Sequence, residues 1–143
     1  MKLKNILVML PLFLLAACGT MNASQDSTSG PSALHVVRTS SNRYAKHLTS
    51  FDRTVTDATT VQQLYTAAYA LPAAKGVYNC PKDLGLVYHL TFLRNSTSIQ
   101  QMDLQATYCQ FLEIGNKDAR ETDVHFITLF TKTIGLPSLI PSY

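Results

Sequence analysis

An alternation of side chains between residues 84 and 94 constrains the fold of this chain more than any other feature. Every second position is large and apolar, and these positions are Leu84, Leu86, Tyr88, Leu90 and Phe92. A period of two is typical of a β-strand with one face in a protein core. A second run, Ile99 to Ile114, alternates in the same way, so we expect the two runs to pair as a long antiparallel hairpin.

Aligning the apolar rows of the two runs predicts the register of this hairpin. The predicted pairs are Phe92 with Met102, Leu90 with Leu104 and Tyr88 with Ala106. Tyr108 would share this apolar face, and Ser96 to Ser98 would form the turn. The other face would carry His89, Thr91, Asp103 and Gln105, with Thr91 opposite Asp103.

Two segments outside the hairpin have the periodicity of amphipathic helices. The first is Asp57 to Leu71, with Asp57 as its N-cap and Pro72 as its stop signal. The second is Thr122 to Ile134, with Asp123 in its first turn. The predicted buried residues are Val61, Leu64, Tyr65, Ala68 and Leu71 in the first helix, and Phe126, Ile127, Phe130, Thr133 and Ile134 in the second.

Two weaker strand segments, Leu34 to Thr39 and Ser50 to Thr56, precede the first helix and are rich in Val, Thr and Phe. The order of elements is therefore strands, helix, long hairpin, helix. We expect an α+β domain, in which two helices pack on one face of a small antiparallel sheet that contains the long hairpin and one disulfide closes a loop.

The first eighteen residues are typical of an export signal. Lys2 and Lys4 form a basic start, residues 6 to 15 are apolar, and Leu15-Ala16-Ala17-Cys18 follows. The apolar run is shorter than the roughly 20 residues that span a bilayer as a helix. The Leu-Ala-Ala-Cys sequence resembles the lipobox of bacterial lipoproteins. That resemblance implies cleavage before Cys18 and a diacylglycerol group on its sulfur.

The chain therefore divides into a signal peptide (1–17), a lipidated cysteine with a flexible polar tether (18–33) and a single domain (34–143). The lipid would anchor the domain outside the cytoplasm, at the cell membrane or the outer membrane. Loss of Lys2 and Lys4 leaves ten basic residues against nine acidic ones. This balance creates no field that would attract nucleic acid, so we expect no nucleic-acid partner.

With Cys18 assigned to the lipid, Cys80 and Cys109 remain in a compartment that permits disulfides. The predicted register places Cys109 near Gly85, where a turn through residues 81 to 83 could bring Cys80 alongside. The bridge would close a loop worth about 3.6 kcal/mol in the chain-entropy model. The alternatives are a catalytic thiol and a metal site, but no Cys-x-x-Cys pair or adjacent histidine supports either.

A set of short motifs runs from residue 51 to about residue 136. They are Val55-Thr56-Asp57, Val61, Leu64-Tyr65, Leu71-Pro72, the run Cys-Pro-Lys-Asp-Leu-Gly-Leu-Val-Tyr-His-Leu-Thr-Phe from Cys80 to Phe92, and a later Cys109. This pattern resembles a group of small uncharacterised bacterial exported proteins and lipoproteins. The resemblance implies a shared fold and the pairing of Cys80 with Cys109. It implies no activity and no catalytic residue.

The polar face of the hairpin is the candidate binding patch. Its residues, His89, Thr91, Asp103 and Gln105, could bind a ligand or, with His35 or His125, a metal ion. A solvated sheet face is the simpler interpretation. The histidines have no His-x3-His or His-Glu-x-x-His spacing, and no Gly-x-Ser-x-Gly motif occurs. We therefore predict no metal site, no cofactor and no catalytic residue.

These features predict a non-enzymatic binding or interaction domain, tethered to a membrane by its lipid, whose partner would be an envelope or secreted protein. The alternative is an inhibitor of an envelope or secreted enzyme that presents Ala73 to Asn79 or Ser96 to Ser98. A small hydrolase is a third class, and His89 and Asp103 would be its best candidate residues.

Overall fold

The computed structural model describes residues 30–42, 51–76, 78–80 and 85–140. Its elements are β1 (Ala33–Ser40), β2 (Phe51–Val55), α1 (Ala58–Ala70), β3 (Leu86–Arg94), β4 (Thr97–Gln105), β5 (Phe111–Ile114), β6 (Asp118–Glu121) and α2 (Val124–Ile134). These strands form one antiparallel sheet in the order β2-β1-β3-β4-β5-β6. The predicted α+β class, with two helices on one face and one disulfide, is confirmed.

The core lies between the sheet and the two helices. The helices contribute Val61, Leu64, Ala68, Phe126, Phe130 and Ile134, and the sheet contributes Leu34, Val36, Leu86, Tyr88, Leu90, Phe92, Met102, Leu104, Leu112 and Ile114. Tyr65, Ile127 and Thr133 of the predicted helix faces are half-buried. Burial of every second strand residue accounts for the period of two in the sequence.

Each helix begins at an aspartate that caps its first turn. Oδ1 of Asp57 accepts the backbone N–H of Thr60 at 2.7 Å, and Oδ1 of Asp123 accepts that of Phe126 at 2.7 Å. Each carboxylate satisfies a backbone donor that a helix start leaves unpaired. Because Asp123 is the cap and not part of the first turn, α2 begins at Val124, two residues later than predicted.

The hairpin of β3 and β4 has the predicted faces, but the predicted register is wrong. The observed pairs are Leu90 with Met102 and Tyr88 with Leu104. The turn is Asn95-Ser96, with φ values of 48° and 68°, and not three residues long. Left-handed residues at both positions are typical of two-residue turns, whose twist matches that of paired strands. From Val87 to Phe92 the register is displaced by two residues, which keeps these side chains on their faces, so alternation alone does not detect it. A bulge between Phe92 and Leu93 separates this part of the hairpin from the turn.

The predicted single strand from Ile99 to Ile114 is wrong, because the chain folds back within it. β4 ends at Gln105, and β5 begins at Phe111 and returns antiparallel to β4. Tyr108 in the connection has a left-handed φ of 52° and is 60% exposed, so it does not share the apolar face. Strand β6 was not predicted either, because its residues Asp-Ala-Arg-Glu have no apolar alternation.

Residues 1–29 lie outside the described residues, and with them the predicted signal peptide, Cys18 and most of the tether. The predicted turn at residues 81 to 83 and Leu84 lie outside them as well. Within the part of the chain that is described, no helix has the length and hydropathy needed to cross a bilayer.

The last residues of the predicted tether belong to the folded domain. Pro31 is buried, the N–H of Ser32 donates to the carbonyl oxygen of Leu93 at 2.8 Å, and Ala33 is the first residue of β1. The chain therefore enters the domain beside the end of β3, slightly earlier than the predicted boundary at Leu34.

Candidate functional site

The face of the sheet opposite the helices carries the candidate site. We call it the open sheet face and define it by the side chains that alternate with the core positions. These are His35, Val37, Thr39, Asp52, Thr54, Val87, His89, Thr91, Gln101, Asp103, Gln105 and Glu113, together with Leu93, Phe111, Ala119 and Glu121 nearer the ends and edge of the sheet. All of them are half-buried or exposed. The alternation that builds the core thus also builds a mainly polar surface on the other side of the same strands.

Three side chains on neighbouring strands of this face form a continuous hydrogen-bonded row. His89 in β3 lies directly opposite Asp103 in β4, and its Nδ1 is 2.8 Å from Oδ1 of Asp103. Its other ring nitrogen, Nε2, is 2.8 Å from Oγ1 of Thr39 in β1. The side chains of His89 and Asp103 are 43% and 48% exposed, so the row is open to water.

The carboxylate of Asp103 and the hydroxyl of Thr39, the two outer groups of this row, determine which nitrogen of His89 carries the proton. An ionised carboxylate only accepts hydrogen bonds, so Nδ1 of His89 is the donor to Asp103. In a neutral imidazole Nε2 is then an acceptor, and the hydroxyl of Thr39 donates to it. The carboxylate therefore fixes both the orientation and the tautomer of the ring.

The structure brings together some of the predicted patch and rearranges the rest. His89 and Asp103 are bonded to each other, whereas Thr91 lies opposite Gln101 and not opposite Asp103. Gln105 is one alternate position along β4 from Asp103, and its Nε2 donates to Oε1 of Glu113 at 3.1 Å. The difference from prediction is a direct result of the two-residue displacement of the hairpin.

Thr39 and Glu113 are members of the site that the sequence pattern does not single out. Thr39 is the last residue of the predicted strand Leu34 to Thr39, on the same face as His35. Its approach to His89 depends on the pairing of β1 with β3, which are separated in the sequence by β2 and α1. The sequence places Thr39 on the polar face of its strand. It does not show that this strand pairs with β3, and so it does not predict the contact with His89.

A second cross-strand pair extends the polar surface towards β2. Nε2 of His35 is 2.8 Å from Oδ1 of Asp52. His125, the other histidine considered for a metal site, is exposed in α2, in the helix layer on the opposite side of the sheet. Among the described residues, no three His, Cys, Asp or Glu side chains converge as a metal site would require.

The predicted disulfide between Cys80 and Cys109 is present, with Cα atoms 5.6 Å apart. It joins the segment that follows α1 to the connection between β4 and β5. Residues 72 to 74 of that first segment pair with β6. The N–H of Ala74 donates to the carbonyl oxygen of Ala119 at 2.8 Å, and the N–H of Glu121 donates to the carbonyl oxygen of Pro72 at 2.9 Å. We call residues 72–76 and 78–80 the edge segment.

Tyr78 fixes the second half of the edge segment against the sheet. Its ring packs edge-on against Phe111 with centroids 4.7 Å apart, and its hydroxyl donates to the carboxylate of Glu121. The same hydroxyl accepts the N–H of Lys75 at 2.9 Å. The hydrogen bond to Glu121 and then burial raise the pKa of Tyr78 above its ordinary value of 10.0. The described residues of the loop from Ala73 to Asn79 are therefore held at several points.

The open sheet face has little depth where its charged groups meet. The cavity beside Asp103 and Glu113 has a volume of about 100 Å³. Pockets for drug-sized ligands occupy roughly 300–1,000 Å³.

No family model, curated protein or solved structure matches this chain.

Proposed function

We propose that this chain is a membrane-tethered extracytoplasmic lipoprotein whose folded part is a non-enzymatic binding domain. The proposed contact surface is the open sheet face, and the proposed partner is an envelope or secreted protein. The observation that carries the proposal is the row of ordered donors and acceptors across β1, β3 and β4, centred on His89. The lipobox resemblance at Cys18 supports the membrane tether, and the disulfide agrees with folding outside the cytoplasm.

The shape of the open sheet face favours a macromolecular partner over a small ligand. The cavity at Asp103 is well below the volume of an ordinary ligand pocket. A flat, strand-built surface with both donors and acceptors instead suits a protein surface of complementary polarity. Glu113, Asp52 and Asp103 give acceptors, and the amides of Gln101 and Gln105 give donors as well as acceptors.

The test uses the full-length chain as bait against envelope and secreted proteins of its source. Thr91→Arg and Gln105→Arg place bulk and charge on the open sheet face. Thr66→Arg makes the same change at an exposed position of α1, on the other side of the domain. The partner recovered by the parent chain should be lost with the first two variants and retained with the third, and titration calorimetry should show the same order of affinities. Equal affinity for all three variants would exclude the open sheet face.

The alternative function, inhibition of an envelope or secreted enzyme, has one structural observation in its favour. The chain enters the domain beside Leu93, at the same end of the sheet as the Asn95-Ser96 turn, whereas the disulfide lies at the other end. The eight residues of β1 separate these ends by about 26 Å. A tethered domain would therefore hold Tyr78 and Asn79, which lie next to the disulfide in the sequence, further from its anchor than residues 96 to 98.

This alternative predicts a different set of sensitive positions. Lys75→Glu in the edge segment should weaken a one-to-one complex with the inhibited enzyme, while Thr91→Arg on the open sheet face should leave it intact. The reverse order of effects, measured by calorimetry and by enzyme inhibition, would favour the binding domain over the inhibitor.

A further inference from the structure

The row formed by Thr39, His89 and Asp103 has the connectivity that activates a hydroxyl as a nucleophile. A hydroxyl donates to one imidazole nitrogen, and the other imidazole nitrogen donates to a carboxylate. The two contacts measure 2.8 Å each. A hydroxyl, an imidazole and a carboxylate in this arrangement can act together wherever they lie in the sequence, because only their geometry and roles matter. The three groups can therefore come from three separate strands.

The backbone holds these three groups rigidly. β1 and β3 pair over eight residue positions, and β3 and β4 pair without interruption from Val87 to Phe92, the part of the hairpin that carries His89 and Asp103. Thr39 is β-branched, which restricts rotation about its χ1 angle. Groups carried by paired strands are placed more reproducibly than groups carried by loops. Thr39 is also exposed, so an incoming reagent can reach its oxygen.

We propose that Thr39 is a site of covalent acylation by activated acyl donors such as aryl esters. In this step Oγ1 of Thr39 forms a bond to the carbonyl carbon, and its proton passes to Nε2 of His89. The bond between the carbonyl carbon and the aryl oxygen then breaks, and the proton passes from Nε2 to the departing aryloxide. The products are an O-acylated threonine and a phenol. Asp103 is the positioning residue that holds the ring.

The acylated threonine is less reactive than the aryl ester that forms it. Acylation expels an aryloxide, whereas hydrolysis of the product must expel the threonine alkoxide, which is a much poorer leaving group. We expect one acyl group per chain that persists, in place of rapid turnover. The inference goes beyond the proposed binding function, because a recognition surface needs no nucleophile.

The experiment treats the full-length chain in detergent with 4-nitrophenyl acetate and maps acetylated residues by tandem mass spectrometry over time. Thr39 should be acetylated, while Thr54, an exposed threonine on the same face of β2, should not. His89→Ala should slow acetylation of Thr39 by about 100-fold, the lower end of the effect that a general base supplies. Acetylation of the exposed Lys75 in the same samples is the internal reference and should not change.

Two further variants separate activation from structure. Thr39→Ser should keep the acetylation, since it keeps the hydroxyl. Asp103→Asn should slow it while circular dichroism and the melting temperature stay close to those of the parent chain. The proposal fails if Thr39 reacts no faster than Thr54, or if its rate relative to Lys75 is the same with and without the imidazole of His89.

Discussion

Arg38 and Tyr88 lie directly opposite each other on β1 and β3, and Nη1 of Arg38 donates to the hydroxyl of Tyr88 at 3.0 Å. Both side chains are buried on the helix side of the sheet. The hydroxyl of Tyr88 in turn donates to the carbonyl oxygen of Leu139 at 2.7 Å, and so fixes the segment that follows α2. The guanidinium also lies 5.5 Å from the ring centre of Phe51. A buried cation is thus held by a phenol and aromatic rings.

This arrangement predicts that the two partners respond differently to substitution. Tyr88→Phe removes the acceptor of Arg38 and the donor to Leu139, so it should lower the free energy of unfolding by about 1–3 kcal/mol. Arg38→Met removes a buried charge whose Nε has no hydrogen-bond partner among the described residues, and should cost less than about 1 kcal/mol. Urea denaturation of both variants checks the order. A larger loss for Arg38→Met would show that the cation itself stabilises the fold.

The disulfide should account for a large part of the stability of the domain. Replacing Cys80 and Cys109 together by serine should lower the free energy of unfolding by about 3–4 kcal/mol, because the unfolded chain is released from a closed loop. Denaturation of the parent chain in reductant should give the same loss. The double variant is the control and should not respond to reductant. A loss below about 1 kcal/mol would contradict this estimate of what the disulfide contributes to the free energy of unfolding.

Substitution of a residue in the hairpin turn by glycine should stabilise the domain. Ser96 has a left-handed φ of 68°, which costs a residue with a Cβ atom roughly 1 kcal/mol. Ser96→Gly creates Asn-Gly, the preferred pair for such a turn, and should raise the melting temperature. Ser98→Gly, in the neighbouring strand, should lower it, since glycine weakens a strand interior. Stabilisation by both changes would contradict the observed turn position.

The N-cap of α1 should give the domain an acid-dependent stability. Backbone and side-chain hydrogen bonds from Thr60 lower the pKa of Asp57 below its ordinary value of 3.8. A lowered folded-state pKa means that the contribution is fully present above pH 3.8 and is lost as the pH falls through the lower, folded-state value. Asp57→Asn keeps an uncharged cap. The melting temperature of the parent chain relative to this variant should therefore be constant well above pH 3.8 and fall as the pH is lowered below 3.8. A difference in melting temperature between the two proteins that does not change with pH would contradict the prediction.

Periodicity was sufficient for the fold class and for both faces of the hairpin, because burial of one face imposes a period of two on residues such as Leu86, Leu90 and Leu104. It was insufficient for the register, since a displacement of two residues preserves both faces. The polar strand β6 has no periodic signal at all. For the candidate site, His89 and Asp103 could be placed on one face, but the contact with Thr39 depends on a long-range strand pairing that no local pattern encodes.

Coverage of β6 by the edge segment has a consequence for the association of neighbouring copies of this chain. Unpaired strand edges of neighbouring sheets can join them. Continuous growth of a shared sheet needs two available edges on every copy. Here residues 72 to 74 occupy one edge, and the Cys80–Cys109 bridge keeps their segment attached. If β2 pairs with another copy, residues 72 to 74 prevent β6 from serving as the second edge through which such an assembly would lengthen into a fibre.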